Sequence, residues 1–298
     1  MEYHNPVLLK ECIEGLKILP DGKYVDVTFG GGGHSKEILK QLDKGRLIAF
    51  DRDPDAARNV IQDERFTLIN QNFRYLKNFL KLMNTVPVDG ILADLGVSSH
   101  QFDIAERGFS IRYNAILDMR MDPSSGKSAL NVINEYEEGE LKSVFKEYGE
   151  LHQAGKIAKL IVNARVEREI KTVEDLKNTL KSLTIKPKEN SFFAQVFQAI
   201  RIEVNGEMDD LKEFLKQSAE VLKTGGRLAV ISYHSLEDRL VKNFMRSGKF
   251  EGEVEKDFYG NPITPFKALN SKPIVPDEEE VKRNNRARSA KLRIAERI

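Results

Sequence analysis

The sequence predicts an α/β fold: a mostly parallel sheet flanked by helices, with a small all-helical domain inserted into it. Three observations carry that expectation. Tyr24 to Ser35 reads as a short apolar run, four glycines and the start of a helical pattern that continues to Leu42. That is how a strand turns through a glycine loop into the first helix of a nucleotide-binding sheet. Two further apolar runs, Gly45 to Phe50 and Val88 to Ala93, each stop on an acid, Asp51 and Asp94. Strands alternating with helices at this spacing make βαβ units and a parallel sheet. From Asn131 to Lys186, by contrast, the periodicity is helical with no strand in it.

Taken in order, Pro6 to Leu19 suggests a short helix that ends in a turn at Pro20-Asp21-Gly22. The glycines that follow the first strand permit positive φ and let a ligand approach backbone with no Cβ in the way. Asp51 lies about 20 residues beyond them, where a ribose-binding acid is expected. Loop, strand and acid together point to an adenosine-containing ligand; the bland alternative is a glycine turn and a helix-capping aspartate. Asp53-Pro54 opens a helix with an acidic cap. Phe66 to Asn70 is a third strand, a helix runs from Gln71 to about Met83, and Val88 to Asp94 is the fourth strand. In such sheets ligands sit beyond the carboxyl ends of the strands, which puts Asp51 and Asp94 on the side of the glycine loop.

Leu95 to Asp122 is rich in Gly, Ser and charge, yet it carries Phe102, Phe109, Ile111, Leu117 and Met119. It is expected to be an ordered active-site segment rather than a disordered one. The helix from Ser191 has an apolar stripe of Phe193, Val196, Phe197, Ile200 and Val204. Its polar stripe, Gln198, Arg201 and Asn205, is expected to face solvent. A helix from Gly206 to Leu222 stops at Thr224-Gly225-Gly226, and Arg227 to Ser232 forms a fifth strand. That strand brings His234 to the carboxyl edge, as a site residue or as the neighbour of a helix cap. Residues 254–276 suggest a hairpin with a turn at Tyr259-Gly260-Asn261-Pro262, and Lys291 to Ala295 a last strand. The sheet domain is thus expected over 1–109 and 206–298, and the helical insert over 110–205.

Composition sets further bounds. The 298 residues are 40% hydrophobic and 31% charged with a net charge of +1, as in a water-soluble globular chain. No apolar run is long enough to cross a bilayer, and Met1 to Pro6 lacks the features of a signal peptide. A cytoplasmic protein without membrane attachment is expected. The one cysteine, Cys12, excludes an intramolecular disulfide and a thiolate-rich metal centre, and no metal is expected. Positive charge gathers near the end, at Lys282, Arg283, Arg286, Arg288, Lys291, Arg293 and Arg297. That is either a polyanion-binding patch or a solvated face.

The loop departs from a dinucleotide fingerprint, since Ser35 stands where G-x-G-x-x-G read from Gly30 needs its last glycine. Asp26 sits in the first strand, where a lone carboxylate is costly. An acid there suits the ammonium of S-adenosylmethionine better than a pyrophosphate, which prefers a helix N-terminus free of carboxylates.

Several stretches are specific enough to resemble a known family. They are Thr28 to Ser35, Asp51-Arg52-Asp53-Pro54, Asp94 to Ser99, Ala105 to Ser110, Leu117 to Asp122, Phe197 to Arg201, Ser235 to Arg239 and Arg286 to Ser289. Together they resemble the bacterial 16S ribosomal RNA (cytosine-N4)-methyltransferases, over residues 4 to 298. The resemblance implies a class I methyltransferase (Rossmann-like) sheet with an inserted helical domain for RNA recognition. It also implies S-adenosyl-L-methionine as donor, S-adenosyl-L-homocysteine as product, and methylation of a cytosine N4 amine in the decoding region of the small ribosomal subunit. Carried over residue by residue, the donor contacts are Gly32, Gly33, His34, Asp51, Phe73, Asp94 and Gln101. Gly31 and His100 depart from residues common in relatives, arginine and proline. With an RNA substrate, Arg201, Arg286 and Arg288 are expected on its phosphates.

The chemistry of these residues agrees. Asp51 would accept from the ribose hydroxyls, Phe73 would pack on the adenine, and the loop of Gly32, Gly33 and His34 would approach the amino-acid end. Amino methyltransferases of other families carry Asp/Asn/Ser-Pro-Pro-Tyr/Phe after the fourth strand, whereas this chain has Asp94-Leu95-Gly96-Val97. The acid is kept and the prolines and aromatic are not, so no catalytic acceptor is assigned. Three other readings compete: a nucleotide-dependent oxidoreductase on the same sheet, a non-catalytic RNA-binding protein with a relic cofactor site, and a methyltransferase acting on protein or a small molecule. Ser35 and Asp26 disfavour the first, the acids at three positions the second, and the basic tail and Arg201 the third.

Overall fold

Seven strands form one mixed sheet in the computed structural model, which describes residues 6–124, 126–252, 254–260 and 263–298. Met1 to Asn5, and Asn261 and Pro262 of the expected turn, lie outside them. The strands are β1 (Lys23–Asp26), β2 (Arg46–Phe50), β3 (Phe66–Ile69), β4 (Val88–Asp94), β5 (Leu222–Ser232), β6 (Phe266–Ala268) and β7 (Lys291–Arg297). Their order is β3-β2-β1-β4-β5-β7-β6. β1 to β5 run parallel; β7 pairs antiparallel with β5, and β6 antiparallel with β7. This is the class I methyltransferase arrangement. In the region expected to hold a hairpin, Ile263 N–H donates to the Glu255 carbonyl at 2.7 Å, and Phe266–Ala268 is an edge strand on β7.

The sequence builds this sheet because its central strands are apolar on both faces, as a parallel sheet covered by helices requires. Side chains alternate along each strand. Val25, Ile48, Phe50, Ile91 and Ala93 pack into one core with Leu76, Leu80, Leu211, Phe214 and Leu215. Tyr24, Leu47, Ala49 and Leu92 pack into the other with Cys12, Leu16, Ile38 and Leu39. Polar exceptions at the strand ends therefore need a reason, and Asp26, 1% exposed at the end of β1, is the most buried of them near the glycine loop.

The chain divides into two compact units, residues 1–96 with 208–298, and residues 97–207. The second unit is helical, with Ala129–Glu135, Glu138–Glu147, Ala154–Glu167, Val173–Leu180 and Glu189–Asn205 around one core. Capping boxes at Ser128 and Thr172 fix two of the helix starts by meeting N–H groups that no helix turn can reach. Among the described residues its extended pairing is a single bridge, Ile116 to Thr172. The irregular stretch that opens this unit contributes Phe109, Leu117, Met119 and Met121 to the core, which is why it is ordered.

The polar stripe of helix Glu189–Asn205 does not face solvent as expected. Gln198 Nε2 donates to the Tyr148 carbonyl at 3.1 Å. Asn205 accepts from the Met121 N–H and donates to the Met119 carbonyl, both at 2.8 Å. Asn205 thereby clamps a turn in which Met119 has φ +59°, a conformation that costs energy for a residue with a Cβ. Arg201 forms a fork with Glu207, at 2.8 and 3.0 Å. Spacing shows that these residues share a face; it does not show that the face meets backbone carbonyls and a carboxylate. Among the described residues no helix is long and apolar enough to cross a membrane.

Candidate active site

The glycine loop after β1 is shaped by its own backbone. Gly30 and Gly32 have φ +51° and +74°, which glycine adopts without strain. Gly32 caps helix Gly33–Gln41, and a Cβ on Gly33 would overlap the Pro6 ring. The loop amides are partly spent inside the fold: Gly30 N–H donates to Asp51 Oδ2 at 2.7 Å, and Gly32 N–H to the Phe29 carbonyl at 2.7 Å.

Asp51 follows β2 and is held by main chain. Its second oxygen accepts from the Asp53 N–H at 2.9 Å. Asn70 braces the same turn from the end of β3, donating to the Asp51 and Asp53 carbonyls at 2.9 and 3.1 Å. Burial lifts the Asp51 carboxyl to about 6, against the pull of the Asp53 and Gly30 amides. Phe73 opens the short helical turn Phe73–Tyr75 after β3, half-buried and edge-on to Phe214, with ring centroids 5.4 Å apart. The acid and the aromatic expected at the adenosine end thus stand at the carboxyl ends of neighbouring strands.

At the other end the acids are held by side chains. Asp26 accepts from the Ser35 hydroxyl at 2.7 Å and the Thr28 N–H at 3.1 Å. Burial still raises its pKa, with His34 and Ser35 opposing. The serine that breaks the dinucleotide pattern is therefore the partner that a carboxylate inside β1 requires. His34, buried at the first turn of its helix, donates from Nε2 to the Val7 carbonyl at 3.0 Å, since a carbonyl can only accept. Its Nδ1 then faces Asp94 Oδ2 at 4.0 Å. Asp94 ends β4, its N–H donating to Thr28 Oγ1 at 2.6 Å and its Oδ1 accepting from the Tyr233 hydroxyl at 2.7 Å. Burial raises the Asp94 carboxyl to about 6 while His34 and Tyr233 oppose; its side chain keeps 24% of its surface exposed, so water tempers that rise. Tyr233, at the end of β5, is pushed well above the usual phenol range by burial and by Asp94, and stays a donor at any ordinary pH.

Six of the seven residues expected to touch a donor, Gly32, Gly33, His34, Asp51, Phe73 and Asp94, belong to the sheet unit. They lie at the carboxyl ends of its strands or on the loop that follows β1. Gln101 belongs to the helical unit. There it forms a capping box with Ser98, accepting the Ser98 N–H at 3.0 Å and donating its own N–H to Ser98 Oγ at 3.2 Å. His234, one of two readings at the sequence level, is the cap of helix Ser235–Ser247: its Nδ1 accepts the Glu237 N–H at 3.4 Å. Thr28, Ser35 and Tyr233 carry no sequence signal as site residues. A hydroxyl has no periodicity; the pairing of β4 with β1 and β5 brings Thr28 and Tyr233 to Asp94, and the turn of the glycine loop brings Ser35 to Asp26.

The C-terminal basic residues divide. Arg293 forks onto Asp238, at 2.6 and 3.2 Å, and Lys291 lies 3.6 Å from the same acid. Arg297 donates to the Ala219 and Pro265 carbonyls. Lys282, Arg283, Arg286 and Arg288 are exposed on the consecutive short helices Glu278–Arg283 and Asn285–Ser289.

The MraW methylase family model matches residues 1–298. Ribosomal RNA small subunit methyltransferase H of Flavobacterium johnsoniae is 62% identical over 299 residues, covering all of this chain and 99% of its own length. The protein of the same name from Christiangramia forsetii is 61% identical over 299 residues, with coverage of 100% and 99%. Among solved structures, an rRNA methylase from Streptococcus thermophilus aligns at a TM-score of 0.42 and 13% identity, over 97% of this chain and 95% of that one.

Proposed function

Since the chain belongs to the MraW methylase family, we propose that it transfers the methyl group of S-adenosyl-L-methionine to 16S ribosomal RNA. The acceptor in this proposal is the exocyclic N4 amine of a cytosine in the decoding region of the small subunit. The observation that carries the donor is the set of three acids around the glycine loop, Asp26, Asp51 and Asp94, each lifted by burial. Three such carboxylates favour a cationic ligand. A pyrophosphate would meet like charge, and two of the loop amides that could greet it are already donated within the fold.

The residues fit the donor in halves. Asp51 offers the ribose hydroxyls the lone pairs that Gly30 and Asp53 leave open, and Phe73 offers the adenine a face. Gly32, Gly33 and His34 admit the amino-acid end close to backbone, and Asp94 Oδ2 offers charge to its ammonium. Gln101 is assigned a donor contact by the resemblance, and Gln101→Ala with titration of S-adenosylhomocysteine tests that assignment. When bound, the donor supplies a methyl group on a sulfonium, which needs no acid to leave. The protein's share is alignment of the amine with that methyl group and exclusion of water, which supply much of what an enzyme adds to such a transfer. The helical unit is proposed to recognise the RNA.

Small subunits purified from cells lacking this gene, incubated with protein and labelled donor, test the reading. Mass spectrometry of nucleosides should show N4-methylcytidine appearing in 16S RNA alone. Methylation at carbon or ribose, or none at all, would refute it.

A further inference from the structure

One buried acid joins the two loops of the adenosine end. Asp210 lies one turn into helix Glu207–Val221 with its side chain 3% exposed. It accepts from Asn72 Nδ2 at 2.5 Å and Arg52 Nη1 at 3.1 Å, and Arg74 Nη1 lies 3.1 Å from its other oxygen. Arg52 is the residue after Asp51, and Asn72 and Arg74 flank Phe73. The same helix face continues at i+4 and i+7. Phe214 meets the Phe73 ring edge-on. Gln217 donates to the Arg74 carbonyl at 2.6 Å and accepts the Lys77 N–H at 2.8 Å.

We propose that Asp210 is a positioning residue of the donor site, fixing the loops after β2 and β3 so that Asp51 and Phe73 hold the adenosine half in register. The proposal rests on the reading of those two residues as donor contacts. Stability alone does not account for this acid. Taking a carboxylate out of water is costly, and an apolar side chain of similar volume often serves a fold as well or better. Burial raises the Asp210 pKa, opposed by Asn72, Arg52 and Arg74. What a carboxylate adds is direction: one oxygen takes a donor from each loop, Arg52 and Asn72, and the other lies against the Arg74 guanidinium, which sets the separation of those loops. Displacement of a binding group by about 1 Å is enough to lose much of its effect.

The test is Asp210→Asn in the full-length protein, which keeps the volume and removes the charge. Calorimetry with S-adenosylhomocysteine should show Kd raised about 10- to 100-fold, the cost of losing charge-assisted bonds. On ribosomal subunits, KM for the donor should rise likewise, with kcat at saturating donor and KM for the RNA within about twofold of wild type, since both lie outside the clamp. A general loss of structure would move all three. A folded variant with wild-type affinity overturns the proposal. Asn72→Ser provides a second route if Asp210→Asn does not fold: serine keeps a cap for the Arg74 N–H but loses the amide donor to Asp210. Its S-adenosylhomocysteine Kd should rise about fivefold, and an unchanged Kd overturns the proposal there too. Asp51→Ala separates the two levels of inference. If it also binds normally, the reading of the donor site has failed; if it loses binding while Asp210→Asn does not, the clamp alone is wrong.

Discussion

The two ends of the proposed donor site hold their acids by different means. Asp51 is fixed by two main-chain amides, Gly30 and Asp53. Asp94 is fixed by a side chain, the Tyr233 hydroxyl on one oxygen, with the His34 ring 4.0 Å from the other. Both carboxyls are lifted to about 6 by burial, so the electrostatic task is alike and only the anchoring differs. A carboxylate held by backbone keeps its aim whatever its neighbours become. One held by side chains can be re-aimed by a single substitution elsewhere. Ribose hydroxyls are fixed groups in a rigid nucleoside and reward the first arrangement. A flexible amino-acid tail tolerates the second.

The largest effect should follow loss of the backbone-held acid. Asp51→Ala should weaken S-adenosylhomocysteine binding about 30- to 1,000-fold, roughly 2–4 kcal/mol for two hydroxyls deprived of a charged acceptor. Circular dichroism should be unchanged. An affinity within twofold of wild type would remove Asp51 from the site and end the comparison.

At the side-chain-held end, Tyr233→Phe keeps the ring and deletes only the hydroxyl. Loss of one bond to a charged group, about 1.5–3 kcal/mol, should weaken donor binding roughly 10-fold. It should also raise the pH at which binding falls away, because the tyrosine bond holds the Asp94 pKa down. If affinity drops with no shift in the pH profile, the phenol acts through packing and the distinction between the two ends loses its chemical basis.

The pH dependence itself has opposite signs for stability and for binding. Asp51 and Asp94 sit near 6 when folded and near 3.8 otherwise. Between those values the folded chain holds more protons, so their contribution to stability falls as pH rises through that window. Donor binding wants them ionised and should weaken about tenfold per pH unit for each group once pH drops below 6. Thermal unfolding with and without S-adenosylhomocysteine, from pH 8 to 5, should show the ligand-induced rise in Tm shrinking on the acid side. In Asp94→Asn the acid-side loss should be shallower by one proton. A ligand-induced rise that is flat with pH would mean that the carboxylates are not the ligand's partners.

How much of this was legible in the sequence follows the same division. The glycine loop, Asp51 and Asp94 are read by counting along each strand to its end, because local geometry puts a strand-end acid at a strand end, whereas Phe73 and Gln101 are supplied by the resemblance. Ser35 as the partner of Asp26 is nine residues away in sequence, and the acid itself hinted at it, since a buried carboxylate demands a donor. Tyr233 with Asp94 and Asp210 with Arg52 are separated by 139 and 158 residues. Only the strand order and the packing of one helix bring them together. The solvent-facing assignment of Gln198, Arg201 and Asn205 failed for a related reason: a polar stripe looks the same whether it meets water or a loop's carbonyl groups.

The smallest effect on donor binding is expected from the exposed charges of the C-terminal segment. Arg201, expected from sequence to meet RNA phosphate, forms a fork with Glu207. Lys291, Arg293 and Arg297 are tied into the sheet by Asp238 and by main-chain carbonyls. Lys282, Arg283, Arg286 and Arg288 are exposed on two consecutive short helices. Glu280, an acid of the same segment, accepts the Leu8 N–H at 2.8 Å. A chain of net charge +1 that acts on a polyanion must concentrate its positive charge, and these positions do so. Arg286→Ala with Arg288→Ala should leave S-adenosylhomocysteine affinity within twofold. It should weaken binding of 16S RNA and make the log–log salt slope shallower by up to about one unit for each phosphate that goes unbound. Thermal stability measured on the same preparation supplies the contrast. A variant with a lowered Tm and a wild-type salt slope would mean that the two arginines brace the fold, as Arg293 does, and that the RNA surface lies elsewhere.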